Sequence, residues 1–230
     1  MRMRTITNTY RDRLFKYVSL APVCVILIAF TFYPIFQLVR MSFSDIHIQG
    51  PVITYTFEGL KHWMNIIEDT VLPSAVRNTL VFVVVVVVVE VILGLGLTLL
   101  LSKVKKLTSA YRTILFFPLL IPPIAMGTMW RLMYDYNYGL INQILALFEI
   151  TGPTWTADKN LALFCIMLVD IWHWTSFLFL LILAGFESLP HELAEAAKVD
   201  GAGEWQTIRY VFLPLLKPTI ITATMLRTIM

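Results

Sequence analysis

Cysteine is nearly absent from the 230 residues: Cys24 and Cys165 are the only two, and each falls inside an apolar run. Such a pair builds no disulfide framework and says little about redox compartment. Charge is scarce as well. Asp, Glu, Lys and Arg make up 14% of the chain, against about 25% in soluble domains. The four histidines, His47, His62, His173 and His191, have no ligand spacing and no paired cysteines beside them, so no metal site is expected. A membrane enzyme would need that or a nucleophile–base set near one face, and neither is evident. No GxxxxGK[ST] phosphate loop occurs, so the chain holds no nucleotide site of that kind. The basic residues sit at the edges of apolar runs, which gives nucleic-acid binding no support.

What is abundant is long hydrophobic sequence. Apolar residues make up 58% of the chain and the mean hydropathy is +0.75, which places it among membrane proteins. A bilayer core needs about 20 apolar residues as helix. Tyr17–Val39, Asn78–Leu101, Tyr111–Met133 and Leu161–Phe186 each qualify. Pro214–Met230 begins a fifth run of 17 residues. The expectation is therefore an all-α, polytopic helical protein with five spans, the last truncated, and at least one further span in the full protein. The first run is too long for a signal peptide and no small-x-small cleavage pattern follows it, so it reads as a retained anchor. The second contains VFVVVVVVVEV. Its valines would suggest a strand in water, but in lipid the backbone must satisfy itself and a helix is the better reading. Pro118, Pro122 and Pro123 interrupt the third run, a break tolerated where it lines a cavity or packs on protein.

Lys and Arg are distributed unevenly. Segments 1–16, 102–112 and 187–213 hold Arg2, Arg4, Arg11, Arg13, Lys16, Lys103, Lys105, Lys106, Arg112, Lys198 and Arg209. Segments 40–77 and 131–160 hold only Arg40, Lys61, Arg77, Arg131 and Lys159. The positive-inside pattern then makes 1–16 a cytoplasmic N-terminal segment ahead of a transmembrane domain over 17–230. It puts loops 40–77 and 131–160 outside and the 187–213 segment inside. Trp130, Tyr134, Tyr136 and Tyr138 read as an interfacial aromatic belt.

The inside segment includes ELAEAAKVDGAGEWQ, residues 192–206. Ser188 is the expected N-cap of a short helix with Pro190 in its first turn. Leu189, Leu193 and Ala197 form one stripe, and Glu192, Glu195 and Lys198 face elsewhere. Gly201 is the expected left-handed stop. A second helix can start near Glu204, with Trp205, Ile208 and Phe212 on one face, before Pro214. The product is an elbow with small residues, Ala194, Ala196, Ala197 and Ala202, where another backbone could approach. An amphipathic connector lying on headgroups is the plainer reading. The acids and the scarcity of basic residues fit a protein partner better.

EAAKVDGAGEWQTIRYVFLPLLKPTI, residues 195–220, resembles the cytoplasmic loop signature of permease subunits of binding-protein-dependent ATP-binding-cassette importers. Glu195, Ala196, Ala197, Asp200, Gly201, Ala202, Leu213 and Pro214 match at the family's spacing. RNTLVF (77–82), YRTILFFPLLIPP (111–123), YGLINQIL (138–145) and AGFESLPHELAEAAKVDGA (184–202) look like the sugar-type members. The resemblance implies six or more spans and a bacterial cytoplasmic membrane location. It implies a second permease subunit, two ATP-binding subunits that carry the ATP and magnesium, and a solute-binding protein outside. It also implies that the loop docks into the ATPase, with Glu195 in polar contact, Gly201 at the tight turn and Asp200 bracing it. The chain itself would bind no cofactor and be no enzyme.

Glu90 and Asp170 lie well inside predicted spans, with His173 one turn beyond Asp170. Intramembrane charges default to function. A proton-coupled secondary transporter using these three is the rival reading, and inter-helix hydrogen bonding or contact with a water-filled pathway is the plainer one. Trp172 and Trp174 could stack on a sugar ring or simply pack. Asn78, Glu90, Pro122, Asp170, Trp172, His173 and Trp174 are thus the candidates for a substrate pathway.

Overall fold

The computed structural model describes residues 3–230 apart from Gly50, Pro51, Lys105, Asn160 and His191, with side chains from Leu14 onward except at 48–52. Arg2, Lys105 and His191 thus lie outside the described residues, as do the side chains of Arg4, Arg11 and Arg13. The chain divides into two units, 1–74 and 75–230.

In the first unit, helix α1 runs Met3–Ser42 and holds a membrane-length apolar stretch over Leu14–Ser42. Strands β1 (Ser44–Gln49) and β2 (Val52–Phe57) then pair antiparallel, Ser44 opposite Phe57. The chain is mostly helical, as expected, and the ribbon is a short β element that an all-α reading leaves out. The sequence of β2, VITYTF, is β-branched and aromatic, the composition that fits a pleated surface. An open two-stranded ribbon cannot sit in hydrocarbon, so it belongs to the loop and not to a span. The Glu58 N–H donates to the Phe43 carbonyl at 3.0 Å and closes the ribbon where α1 ends. Helix α2 (Lys61–Glu68) follows, and then α3 begins at Leu72.

Helix α3 continues into the second unit and ends at Ser102. The valine run is helical, as the lipid argument requires. Its buried residues are Val86, Val87, Glu90, Gly94, Thr98 and Leu101, a stripe at helical spacing. At Gly94 an added Cβ would lie 3.0 Å from the backbone nitrogen of Phe179, so glycine lets the two main chains come together. The third apolar run is not one straight crossing. Helix α4 (Thr108–Phe116), a 3-10 turn (Phe117–Leu120) and helix α5 (Pro123–Met133) bend by 91°. Ile121 and Pro122 are extended, because proline pushes its predecessor out of the helical region. Ser176 on the next long helix donates to the Leu115 carbonyl at 2.7 Å and grips the end of α4.

Helix α6 (Leu140–Ala146) precedes α7 (Ala162–Glu187), which carries the core residues Leu178, Phe179, Ile182 and Leu183. Helices α8 (Glu192–Val199), α9 (Glu204–Thr207) and α10 (Leu213–Ile229) complete the chain, and α10 packs on α7. Among the described residues three helices are long and apolar enough to cross a membrane, with a fourth crossing if the bent pair counts as one. Helix α10 has 17 residues and falls short of that length.

Candidate functional site

Two constellations stand out in the second unit. The first is the elbow between α7 and α10. Its helix α8 ends in a Schellman turn. The Ala202 N–H donates to the Ala197 carbonyl at 2.9 Å and the Gly201 N–H to the Lys198 carbonyl at 3.1 Å, which is the six-to-one and five-to-two pair of that motif. Gly201 has φ +79, in the left-handed region, with open space around its Cα. Ala197 is buried, whereas Glu195 and Ala196 are exposed. Asp200 enters the turn through its backbone N–H, which donates to the Ala196 carbonyl at 3.0 Å. Its side chain is exposed and makes no hydrogen bond to another described residue, so a carboxylate brace is not what holds the turn.

Two further expectations for the elbow are corrected. Ser188 caps the end of α7 rather than the start of α8, its hydroxyl donating to the Gly185 carbonyl at 2.7 Å. Helix α7 runs as far as Glu187, so Ser188 is taken up by its end, and α8 starts only at Glu192. Trp205 is 66% exposed and Thr207 is buried in its place. A π-helical turn over Ile208–Phe212 widens the helix, which breaks the phase on which one shared face for Trp205, Ile208 and Phe212 depended. Phe212 instead meets Phe186 of α7, ring centroids 5.0 Å apart. Leu213 is half-buried and Pro214 sits in the first turn of α10, with no break in the helix before them.

The elbow is tied to the ends of other helices. Lys103, just past α3, pairs with Glu204, and Arg112 of α4 pairs with Glu187 of α7. The hydrogen bond from Lys103, with its charge, holds the Glu204 carboxyl below its ordinary value. Between these ties lies a cavity of about 710 Å³, lined by Val104, Leu183, Leu189 and Ala194 among others. Both ion pairs are solvent-exposed and contribute little stability each. The first registers the elbow against the end of α3, and the second registers α4 against the end of α7.

The second constellation is buried. Arg227 of α10 donates from Nε and Nη2 to the two oxygens of Glu90 on α3, at 2.8 and 3.1 Å, and from Nη2 to Asp170 on α7. Glu90 is fully buried and the Arg227 side chain is 8% exposed. The Trp174 ring stacks on the guanidinium, 5.0 Å from carbon to centroid. Planar bidentate contact plus an aromatic face is what suits arginine to a desolvated site. Three helices thus meet at one cation.

Glu90, Asp170 and Trp174 are therefore brought together, as candidates for the pathway, but by a residue the spacing of acids did not suggest. Arg227 lies inside the last apolar run, and nothing in the local sequence marks it as the partner of these acids. His173 is buried, with its ring edge-on to Trp174, and its Nδ1 has no hydrogen-bond partner among the described residues. The carboxylates are engaged by Arg227, which leaves no Glu90–Asp170–His173 relay assembled. Trp172 turns to Trp130 instead, edge-on with centroids 5.6 Å apart. Trp130 also stacks near Tyr134, and Tyr134 is buried with its hydroxyl donating to the Cys165 carbonyl at 3.4 Å. That corrects the belt reading for Tyr134. Asn78 and Pro122 are exposed. Asn78 lies about 18 Å up α3 from Glu90 at helical rise, away from the charge cluster.

Known proteins resemble this chain along nearly all its length. The trehalose/maltose transport system permease protein MalF of Thermococcus litoralis is 33% identical over 221 residues, covering 96% of this chain and 74% of its own. The arabinooligosaccharides transport system permease protein AraP of Halalkalibacterium halodurans is 33% identical over 228 residues, 98% of this chain and 71% of its own. A bacterial alginate ABC transporter, solved in complex with an alginate pentasaccharide-bound periplasmic protein, shares the fold. Its matching chain has TM-score 0.81 at 22% identity, over 96% of this chain and 73% of that one. These relatives are transport proteins, not enzymes. Residues 90–230, which hold the elbow and every member of the buried charge cluster, match the binding-protein-dependent transport system inner membrane component family, and the chain belongs to that family.

Proposed function

We propose that the chain is the membrane-spanning permease subunit of an ATP-driven importer in the bacterial cytoplasmic membrane, with its N-terminus in the cytoplasm. It forms the translocation pathway for a sugar or related solute, delivered by an extracytoplasmic binding protein. It works beside a second permease subunit, and ATP and magnesium are held by two ATP-binding partner subunits. The 188–213 elbow is the joint through which they act, with Glu195 as the exposed polar contact and Gly201 as the pivot of the turn. The observation that carries this reading is the Schellman-capped elbow, which presents the spaced set from Glu195 to Pro214 between two apolar helices. The sugar class rests on the carbohydrates named for MalF, AraP and the alginate transporter.

Glu90 and Asp170 act in this reading as inter-helix anchors for Arg227, and Trp172 and Trp174 as aromatic surfaces along the pathway. The test is reconstitution with the ATP-binding subunits and the binding protein. Uptake of labelled sugar should require ATP inside the cell-equivalent compartment and resist uncouplers. Uptake driven by a proton gradient without ATP would favour the proton-coupled rival instead.

A further inference from the structure

Helix α2 separates its side chains cleanly. Trp63, Met64, Ile66 and Ile67 fall on one side at 100° per residue, and Lys61, Asn65 and Glu68 on the other. None of its residues is buried: Met64 is 63% exposed and Ile67 86%. A short helix that leaves so much apolar surface uncovered needs an apolar partner.

Its position identifies the partner. The hydrogen bond from Glu58 to Phe43 returns the chain to the end of α1, and Trp63 packs on Phe43 with ring centroids 6.4 Å apart. At the other end, Asp69 Oδ1 accepts from the N–H groups of Val71 and Leu72 at 2.7 and 3.3 Å, a tight turn leading straight into α3. The link of residues 69–71 reaches at most about 10 Å. Both ends of α2 are thus pinned where membrane-length helices begin or stop. The Lys61–Glu58 ion pair sits on the polar side, where water must be.

We infer that α2 is an interfacial helix, lying in the membrane–water boundary with Trp63, Met64, Ile66 and Ile67 in the acyl–headgroup layer. It anchors the ribbon β1–β2 above the lipid surface, with Trp63 at the depth that tryptophan prefers.

Spin-label accessibility tests this on the whole transporter in lipid vesicles. Cys24 and Cys165 are first replaced by alanine. Labels are then placed at Ile67→Cys and Asn65→Cys, with Phe30→Cys in α1 as the hydrocarbon reference. Met64→Cys repeats the apolar-side reading if Ile67→Cys does not assemble. Label at 67 should collide with oxygen faster than with an aqueous nickel complex, and label at 65 the reverse. Equal nickel access at 65 and 67 overturns the inference. So does loss of access to both reagents at 67, which marks a protein surface in place of lipid.

Discussion

Arg227 and Glu90 stand 137 positions apart in sequence and share two hydrogen bonds at 2.8 and 3.1 Å in the interior. The pair locks α10 to α3, and Asp170 adds α7. Removing one side of a buried pair leaves an uncompensated charge, at a cost of about 3–5 kcal/mol. Arg227→Ala is expected to lower the thermal midpoint of the purified transporter sharply. Adding Glu90→Gln and Asp170→Asn to it should recover part of the loss. A melt of the single and triple variants side by side checks both.

Gly94 is the second place where α3 depends on one atom less. A Cβ there meets backbone atoms of Leu178 and Phe179, not a flexible side chain. Gly94→Leu should cost about 1–3 kcal/mol through overpacking, while Gly96→Leu, with open space around it, should be tolerated. Folded yield and melting of the two variants distinguish them.

At Gly201 the strain is conformational and not steric, since φ is +79 and nothing stands near a new Cβ. Gly201→Val should cost about 1 kcal/mol or more and uncouple ATP hydrolysis from uptake, with membrane insertion intact. Gly201→Asn should retain more coupling, because asparagine tolerates the left-handed region. Uptake and ATPase rates measured together read the coupling ratio; normal transport by Gly201→Val would count against the pivot.

The Lys103–Glu204 tie is predicted to respond to pH and salt. Folding depresses the Glu204 carboxyl below its ordinary 4.5. Its contribution is therefore complete above that value and is lost as pH falls through the depressed one. Lys103→Gln should move the Glu204 titration upward, toward its ordinary value, followed by NMR of labelled glutamate. At about 1 M salt, where screening acts within roughly 3 Å, the wild-type difference should shrink.

Run length and the elbow's spacing make much of this architecture legible in the sequence. The left-handed Gly201, the proline break near Pro122 and the helical valine run follow from local rules. The stripe through Glu90, Gly94 and Thr98 was hidden because every neighbour in α3 is also apolar, so no periodicity marks the packed face. Arg227 was hidden for a related reason: charge pairing across three helices leaves no trace in local sequence. The β1–β2 ribbon is hard to see in the sequence because 40–77 reads as a connection between spans, although VITYTF carries strand composition. Trp205 was misplaced because a π turn shifts phase without any residue that announces it.

In the proposed function the elbow between α7 and α10 is held from the cytoplasm by an ATP-binding partner. Impermeant thiol labelling of Ala196→Cys, in a background lacking Cys24 and Cys165, tests it in membrane vesicles of both orientations. Labelling is expected only in inverted vesicles stripped of the ATP-binding subunit, with protection when that subunit is restored. Labelling in right-side-out vesicles, or equal labelling with and without the subunit, would contradict it.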